Sequence, residues 1–325
     1  MIIAGGWPSS VPDRAVPIDT LVGLTQLPDL GTQLEPAVPS DRRPTCVAAP
    51  SVRKNALMTE DLEFPSGSKL DTTVPHSARI WNYWLGGKDN FAVDRAAGDE
   101  VIAHIPDIPI GAKSERAFLK RVVRFLVEDA GIRQFLDVGT GLPSADNTHE
   151  VAQSLDPRCR VVYIDNDPLV MAHARALLTS APGGSCDYVE ADLRQPDTIL
   201  ASARQTLDFS QPIGLMLLGV VNHLMDDDVA YDSVAQLVQA MPTGSYLVLT
   251  HSTAEIHGEP MLRVMRETTE RGGTPIRART KTELERFFDG LDLLEPGVVT
   301  CSRWRPHPES DEPEVYLFGG VGRIG

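Results

Sequence analysis

A short apolar strand that runs straight into a glycine turn constrains this chain more than any other feature. Phe135-Leu136-Asp137-Val138 is followed at once by Gly139-Thr140-Gly141-Leu142-Pro143. A Gly-x-Gly turn after a buried strand lets the backbone approach a ligand closely and bend into a helix. Alone, it serves equally as a tight strand–helix connection. It is also not a full dinucleotide fingerprint, because Ser144 stands where the third glycine of G-x-G-x-x-G would fall.

The pattern around this turn alternates between strand and helix. Strands are predicted at 135–138, 160–165, 186–190, 213–218 and 246–250, with helices at 147–155, 168–178, 228–240, 260–271 and 281–288. Two last strands, near 293–303 and 314–322, read as a hairpin around a polar loop at 306–313. Strands alternating with helices predict an α/β fold with a mostly parallel, doubly wound sheet, antiparallel only at its C-terminal strand. Three helical segments come first: 75–85, closed by Gly86-Gly87; 89–104, with Asp89 as N-cap; and 113–130, ended by Gly131. The chain therefore divides into residues 1–57, an N-terminal helical cap over 58–131, and the sheet domain over 132–325.

Residues 1–57 hold 8 of the 25 prolines, with five basic and five acidic side chains. Such a segment buries too little apolar surface to offset its ordering entropy. It reads as a disordered extension, or as a start assigned too far upstream, with Met58 opening the ordered part. The whole formal charge of −15 then belongs to residues 58–325. A body that acidic repels phosphate backbones, which argues against a nucleic-acid partner. No apolar run is long enough to span a bilayer. The four cysteines form no C-x-x-C pair, so neither a zinc site nor a disulfide scaffold is expected, and the reading is a reducing cytoplasm.

Two further features follow the glycine turn. Asp165 ends the second strand, 24 residues after Gly141, where a carboxylate accepts hydrogen bonds from ribose hydroxyls. Glu190-Ala191-Asp192-Leu193 ends the third; Asp192 there can take an adenine amine and Leu193 can contact the ring. Lone carboxylates at strand ends are mostly turn caps. Asp137, Asp165 and Asp192 sit at the carboxyl ends of three successive strands, where open α/β sheets bind ligands.

With these motifs in place, the chain resembles class I S-adenosylmethionine-dependent methyltransferases. Asp137-Val138-Gly139-Thr140-Gly141 is similar to their glycine motif, Asp165 to their ribose carboxylate, and Glu190-Ala191-Asp192 to their adenine-edge motif. Pro143 stands at the usual third glycine and removes a backbone donor. A closer resemblance covers almost everything after residue 70. Pro75-His76-Ser77-Ala78-Arg79-Ile80-Trp81-Asn82-Tyr83-Trp84-Leu85-Gly86-Gly87-Lys88-Asp89-Asn90-Phe91 resembles the N-terminal signature of a bacterial family of S-adenosylmethionine methyltransferases. So do Arg116-Ala117-Phe118-Leu119, Val162-Tyr163-Ile164-Asp165-Asn166-Asp167-Pro168 and Gly244-Ser245-Tyr246-Leu247-Val248. The resemblance implies a Rossmann-like class I methyltransferase fold over 132–325 and S-adenosylmethionine as methyl donor. It implies donor contacts at Asp137, Gly139, Thr140, Gly141, Asp165, Asn166, Asp192 and Leu193. It supplies no acceptor. Members of that family commonly have Asn where this chain has Glu115, and His where it has Asn222.

Methyl transfer from a sulfonium needs alignment and desolvation more than a catalytic triad, and it needs a base only when the acceptor is protonated. His76, His223, His251 and His257 are the base candidates. His76, Arg79, Asn82 and Trp84 on the first helix, with Asn222 and His223 after the fourth strand, are the candidates for a cap and acceptor site. Arg79 and Asn82, three apart, share a helical face from which both could reach ligand. The expected activity is methyl transfer to a small molecule. A catalytically idle S-adenosylmethionine-binding protein and an NAD(P)-dependent oxidoreductase are the alternatives; against the latter, no Tyr has Lys four residues on.

Overall fold

A computed structural model of the chain describes residues 72–177 and 179–325. The readings of residues 1–57, of Met58 as a start, and of the cap up to residue 71 lie outside the described residues.

Three helices lead: α1 (Ser77–Trp84), α2 (Ala92–His104) and α3 (Ile108–Glu128). Then come β1 (Gln134–Val138), α4 (Thr148–Leu155), β2 (Arg160–Asp165), α5 (Pro168–Leu177), β3 (Ser185–Glu190), α6 (Pro196–Ala203) and β4 (Gly214–Leu218). After β4 follow a 3₁₀ turn at Val221–His223, α7 (Asp227–Ala240), β5 (Tyr246–Ser252), α8 (Glu259–Glu270) and α9 (Lys281–Glu285). Three strands close the chain: β6 (Asp292–Leu293), β7 (Val299–Thr300) and β8 (Leu317–Arg323).

The sheet runs in the order β3-β2-β1-β4-β5-β8-β6, with β7 also pairing to β8. The first five strands are mutually parallel and β8 is antiparallel to β5, as expected. The C-terminal hairpin is less regular than the sequence suggests. Its first arm is two separate two-residue strands, both paired to β8, and the turn Glu295–Gly297 interrupts it. Strand order reverses between β1 and β4, so the crevice at their carboxyl ends is the switch point where such sheets take ligands.

Both faces of the sheet are covered, which explains the unbroken apolar strands. Leu136, Val138, Val162, Ile164, Leu215, Leu217, Leu247 and Leu249 face one cluster, toward α6, α7 and α9. The alternate positions Phe135, Val161, Tyr163, Met216, Tyr246 and Val248 face the other, toward α3, α4 and α8. On α3, Phe118, Val122 and Leu126 recur every four residues and are fully buried.

Three local expectations are corrected. The second helix is not capped by Asp89. Phe91 holds the cap position, and Asp94, three residues on, reaches back to the Phe91 amide. The third helix starts at Ile108 rather than 113, because Pro109 is tolerated in its first turn. Helix α6 went unread; its signal is Pro196 at the first position and apolar Ile199, Leu200 and Ala203. Among the described residues no helix is long and apolar enough to cross a membrane.

Candidate functional site

The turn after β1 is shaped by two glycines with different duties. Gly139 has φ 77°, and a Cβ there would lie 2.3 Å from the Val220 side chain, so the loop after β4 packs directly on it. Gly141 has φ 62° and nothing within 4 Å of where a Cβ would be. The first is closed by packing; the second faces open space, as a turn that admits a ligand must.

Asp165, at the end of β2, ties this turn to the next. Its Oδ2 accepts from the Gly141 amide at 2.9 Å and its Oδ1 from the Asp167 amide at 3.0 Å. Burial pushes its pKa up, and those two amides act against it. At the end of β3, the Asp192 carboxylate is clamped by Arg194, whose hydrogen bonds bring it down to about 2. Asn166 Nδ2 lies 3.4 Å from Asp192 Oδ2, so the two loops touch. Leu193 packs into the core beside Ile199 and Leu200. Asp137 is buried at the end of β1 and accepts from the Thr148 hydroxyl at 2.6 Å. Burial raises it to about 6, against the pull of Thr148 and Arg116.

Helix α1 docks onto this loop system through His76. Its Nδ1 accepts from the Ala78 amide at the helix start, and its Nε2 lies 3.0 Å from Asp167 Oδ2. Ala78 packs against Leu142, Val170 and Met171. Burial opposes ionisation of Asp167, yet His76 outweighs it and the carboxyl lies below its ordinary range.

The other cap candidates turn inward, contrary to expectation. Arg79 is 3 % exposed and pairs with the fully buried Asp94 at 2.8 Å. Asn82 Oδ1 accepts from the Asp89 amide and from Asn90, and a Cβ on Gly87 would strike the Asn82 amide. The Gly86-Gly87 pair is thus one left-handed residue and one packed residue, not a loose hinge. Trp84 donates to the Gly98 carbonyl at 3.3 Å. A same-face spacing on a helix says which side chains are neighbours, not which way the face points.

The loop after β4 separates the four histidines. His251 is fully buried, with Nδ1 on the Ser252 carbonyl and Nε2 2.7 Å from Arg279, and burial drives its pKa to about 3. His76 has both ring nitrogens engaged. His257 Nε2 lies 3.2 Å from Asp107, beside the turn between α2 and α3, without a hydrogen bond between them. His223 differs: its Nδ1 must donate to the Pro275 carbonyl at 2.9 Å, and its Nε2 has no hydrogen-bond partner. Burial lowers its pKa, leaving a neutral ring with a free lone pair. Asn222 is used structurally, its Oδ1 accepting from the Ser252 amide at 2.9 Å.

The two departures from the resembled family meet in space. Glu115, buried on α3, accepts from the Thr250 hydroxyl, and burial raises its pKa. A Cβ built on Gly219 would lie 3.4 Å from Glu115 Oε1 and 3.8 Å from Asn222 Nδ2. Glu115, Asp167 and Arg116, which lines a crevice with Asp137 and Gly141, were not among the site residues read from sequence. Asp167 was legible as the Asp-Pro cap of α5; nothing in the α3 sequence marks which of its polar residues face the crevice.

Comparison with known proteins identifies the family. The S-adenosyl methyltransferase family matches residues 64–325. The solved structure of a DUF574 family protein from Streptomyces avermitilis MA-4680 is 42% identical over 79% of this chain and 100% of its own, with a TM-score of 0.75. That of a candidate methyltransferase from Thermobifida fusca YX is 40% identical over 81% of this chain and 99% of its own, with a TM-score of 0.72. No curated protein matches. The chain belongs to the S-adenosyl methyltransferase family, its sheet is that of a Rossmann-like class I methyltransferase, and its cofactor is S-adenosylmethionine.

Proposed function

We propose that this member of the S-adenosyl methyltransferase family transfers a methyl group to a small-molecule acceptor bound beside the loop after β4. The observation that carries the reading is the arrangement of Asp165 and Asp192 at adjacent strand ends, opposite the open face of Gly141. When bound, S-adenosylmethionine supplies an electrophilic methyl on a sulfonium.

The residues fit that donor. Asp165 has an acceptor lone pair left on each oxygen for ribose hydroxyls, beyond the two amides it already receives. Asp192 and Asn166 edge the adenine position. Asp137 gives a buried carboxylate for a cationic group, which would return it to its charged form. His76 and Asp167 hold α1 over the loops and help keep water out. His223 Nε2 can receive a proton from an acceptor hydroxyl or ammonium, its ring fixed by Pro275. The formal charge of −15 favours a small acceptor over a nucleic acid.

Calorimetry of the full chain with S-adenosylhomocysteine, S-adenosylmethionine and NAD tests the reading. The first two should bind and NAD should not. Binding of NAD alone overturns it. Incubation with methyl-labelled donor and a panel of phenols, amines and carboxylates then tests turnover; donor binding with no labelled product identifies a catalytically idle binding protein.

A further inference from the structure

Donor binding and proton transfer, as proposed, leave the buried carboxyl of Glu115 without a task. Its Oε1 accepts from the Thr250 hydroxyl, whose oxygen in turn receives the Gly219 amide at 2.8 Å. The Thr250 hydrogen is thereby committed to Glu115, and Oε1 is satisfied. Oε2 has no hydrogen-bond partner among the described residues, yet it is not sealed from solvent. A carboxyl oxygen in a buried side chain with an open approach is a place for a hydrogen-bond donor.

Gly219, which follows β4 with φ 65°, defines what that oxygen faces. The point where a Cβ of Gly219 would stand lies 3.4 and 3.9 Å from the two Glu115 oxygens and 3.8 Å from Asn222 Nδ2. Asn222 Oδ1 accepts from the Ser252 amide, which fixes the side-chain amide and presents its unbonded Nδ2. His223, next in the same 3₁₀ turn, holds a second unbonded acceptor, Nε2. Its ring feels the charge of His76, so it stands on the side from which α1 covers the donor loops. In the sheet, β2 and β3 lie to one side of β1 and β4 to the other. This group is therefore across the glycine turn from Asp165 and Asp192. A cation on the donor already has Asp137, which leaves Glu115 for the other reactant.

The hydrogen-bonding capacity here selects the nucleophile. Glu115 Oε2 and His223 Nε2 accept, and Asn222 Nδ2 donates. An atom served by both acceptors must carry at least two hydrogens: an ammonium has three, a hydroxyl one, a carboxylate none. Burial raises the pKa of Glu115, and a cation restores its charged form. The one donor, Asn222, then suits an oxygen on the same molecule. Just beyond the turn, Met225 and Val229 are exposed and offer apolar contact.

Resting on the donor assignment above, we infer that the methyl acceptor is an amine whose ammonium is held by Glu115 Oε2 in the niche over Gly219. One proton of that ammonium passes to His223 Nε2. The freed nitrogen lone pair forms the N–C bond to the methyl as the S–C bond breaks, and that bond's electron pair stays on sulfur. Glu115 thereby decides between an amine and an alcohol. A role limited to bracing Thr250 predicts no such choice.

The test uses phenylalaninol, which carries an ammonium, a hydroxyl and an apolar body, and 3-phenylpropane-1,2-diol, which replaces the ammonium by a second hydroxyl. Calorimetry on the full chain saturated with S-adenosylhomocysteine should show the amine binding roughly tenfold or more tighter than the diol. Glu115→Gln keeps an oxygen for Thr250. There the amine should weaken roughly ten- to hundredfold, as expected for a charge-assisted hydrogen bond, and the diol and S-adenosylhomocysteine less than about twofold. Equal affinities for amine and diol in the wild type, or no binding of the amine, overturn the inference. An undiminished amine affinity in Glu115→Gln also overturns it. So does equal weakening of amine and S-adenosylhomocysteine, which would assign Glu115 to the donor. Should Glu115→Gln fail to fold, the carboxyl-carbon resonance of wild-type Glu115 decides: it must move with the amine and stay still with the diol, and any other behaviour overturns the inference. Wild-type protein that does not bind S-adenosylhomocysteine overturns the donor assignment itself, before any amine is added.

Discussion

His76 Nε2 stands 3.0 Å from Asp167 Oδ2, and this contact joins the first helix to the loop that ends β2. Asp167 passes the connection on, because its amide donates to Asp165, whose other oxygen receives Gly141. Helix α1 and the glycine turn therefore share one chain of polar contacts, and a ligand on Asp165 should be felt at residue 76. Hydrogen exchange with and without S-adenosylhomocysteine reads this. Ligand should slow exchange across 76–91 as well as at 137–143 and 165–167. In His76→Ala the first effect should disappear while the second survives. Protection at the glycine turn with none in 76–91 of the wild type would reduce α1 to packing.

The two glycines of the turn should fail differently. Gly139→Ala puts a methyl into Val220 at a left-handed φ, costing roughly 2–4 kcal/mol in overpacking and backbone strain. Gly141→Ala meets nothing, so only the backbone term of about 1–2 kcal/mol applies. Its methyl nonetheless stands where ligand must come close, and S-adenosylhomocysteine binding should drop at least as much as in Gly139→Ala. Denaturant unfolding and calorimetry on both variants decide; equal stability losses would refute the division of labour.

At Asp165 the informative comparison is Asn against Ala. Asp165→Asn keeps an oxygen for one of the two backbone amides but loses the charge, and should weaken S-adenosylhomocysteine by about 1.5–3 kcal/mol with modest loss of stability. Asp165→Ala orphans both amides and should cost a further 1–3 kcal/mol, roughly, of unfolding free energy. Unchanged affinity in folded Asp165→Asn would remove Asp165 from the ribose role.

Asp137 makes stability fall as pH rises. Its folded pKa, about 6, lies above its ordinary 3.8, so the native state holds the proton longer than the unfolded chain does. Below about pH 4 both states are protonated and no penalty exists; it grows through about pH 4–6 and is complete above. Asp137→Asn can still accept from Thr148 and does not titrate. Its advantage over wild type should be near zero at about pH 4 and level off at on the order of 2–3 kcal/mol by pH 7. Glu115 and Asp165 titrate in both proteins, and because each repels the Asp137 carboxylate their coupling broadens the difference rather than removing it. Unfolding curves at four pH values measure it, and a pH-independent difference would disprove the assignment.

His223→Asn removes Nε2 and keeps an N–H for Pro275. Donor binding should stay within about twofold, and transfer to a protonated acceptor should slow roughly 10²–10⁴-fold at neutral pH. The deficit should shrink as pH approaches the acceptor's own pKa. A rate indifferent to this substitution would leave His223 as a structural residue.

The sheet was legible before any coordinates. Strand β2 and the antiparallel last strand follow from apolar runs bounded by turn signals, because backbone pairing and two-sided burial impose a short-range pattern. The glycine turn, Asp165 and Asp192 are likewise local: each sits at a strand end, and parallel strands in this order bring their ends together. What the sequence could not decide is direction. Arg79 and Asn82 form a motif that reads as ligand-facing, yet the fold turns them onto Asp94 and Asn90. Four histidines looked alike until Arg279 and Ser252 enclosed His251, Asp167 came within reach of His76, Asp107 came beside His257, and Pro275 fixed the ring of His223 with its Nε2 unbonded. Glu115 and Asn222, 107 positions apart, became neighbours across Gly219. Periodicity and turn chemistry act over a few residues and are written in the sequence. Which polar atom finds a partner, and which is left to meet a ligand, depends on groups that only long-range packing brings within 3 Å.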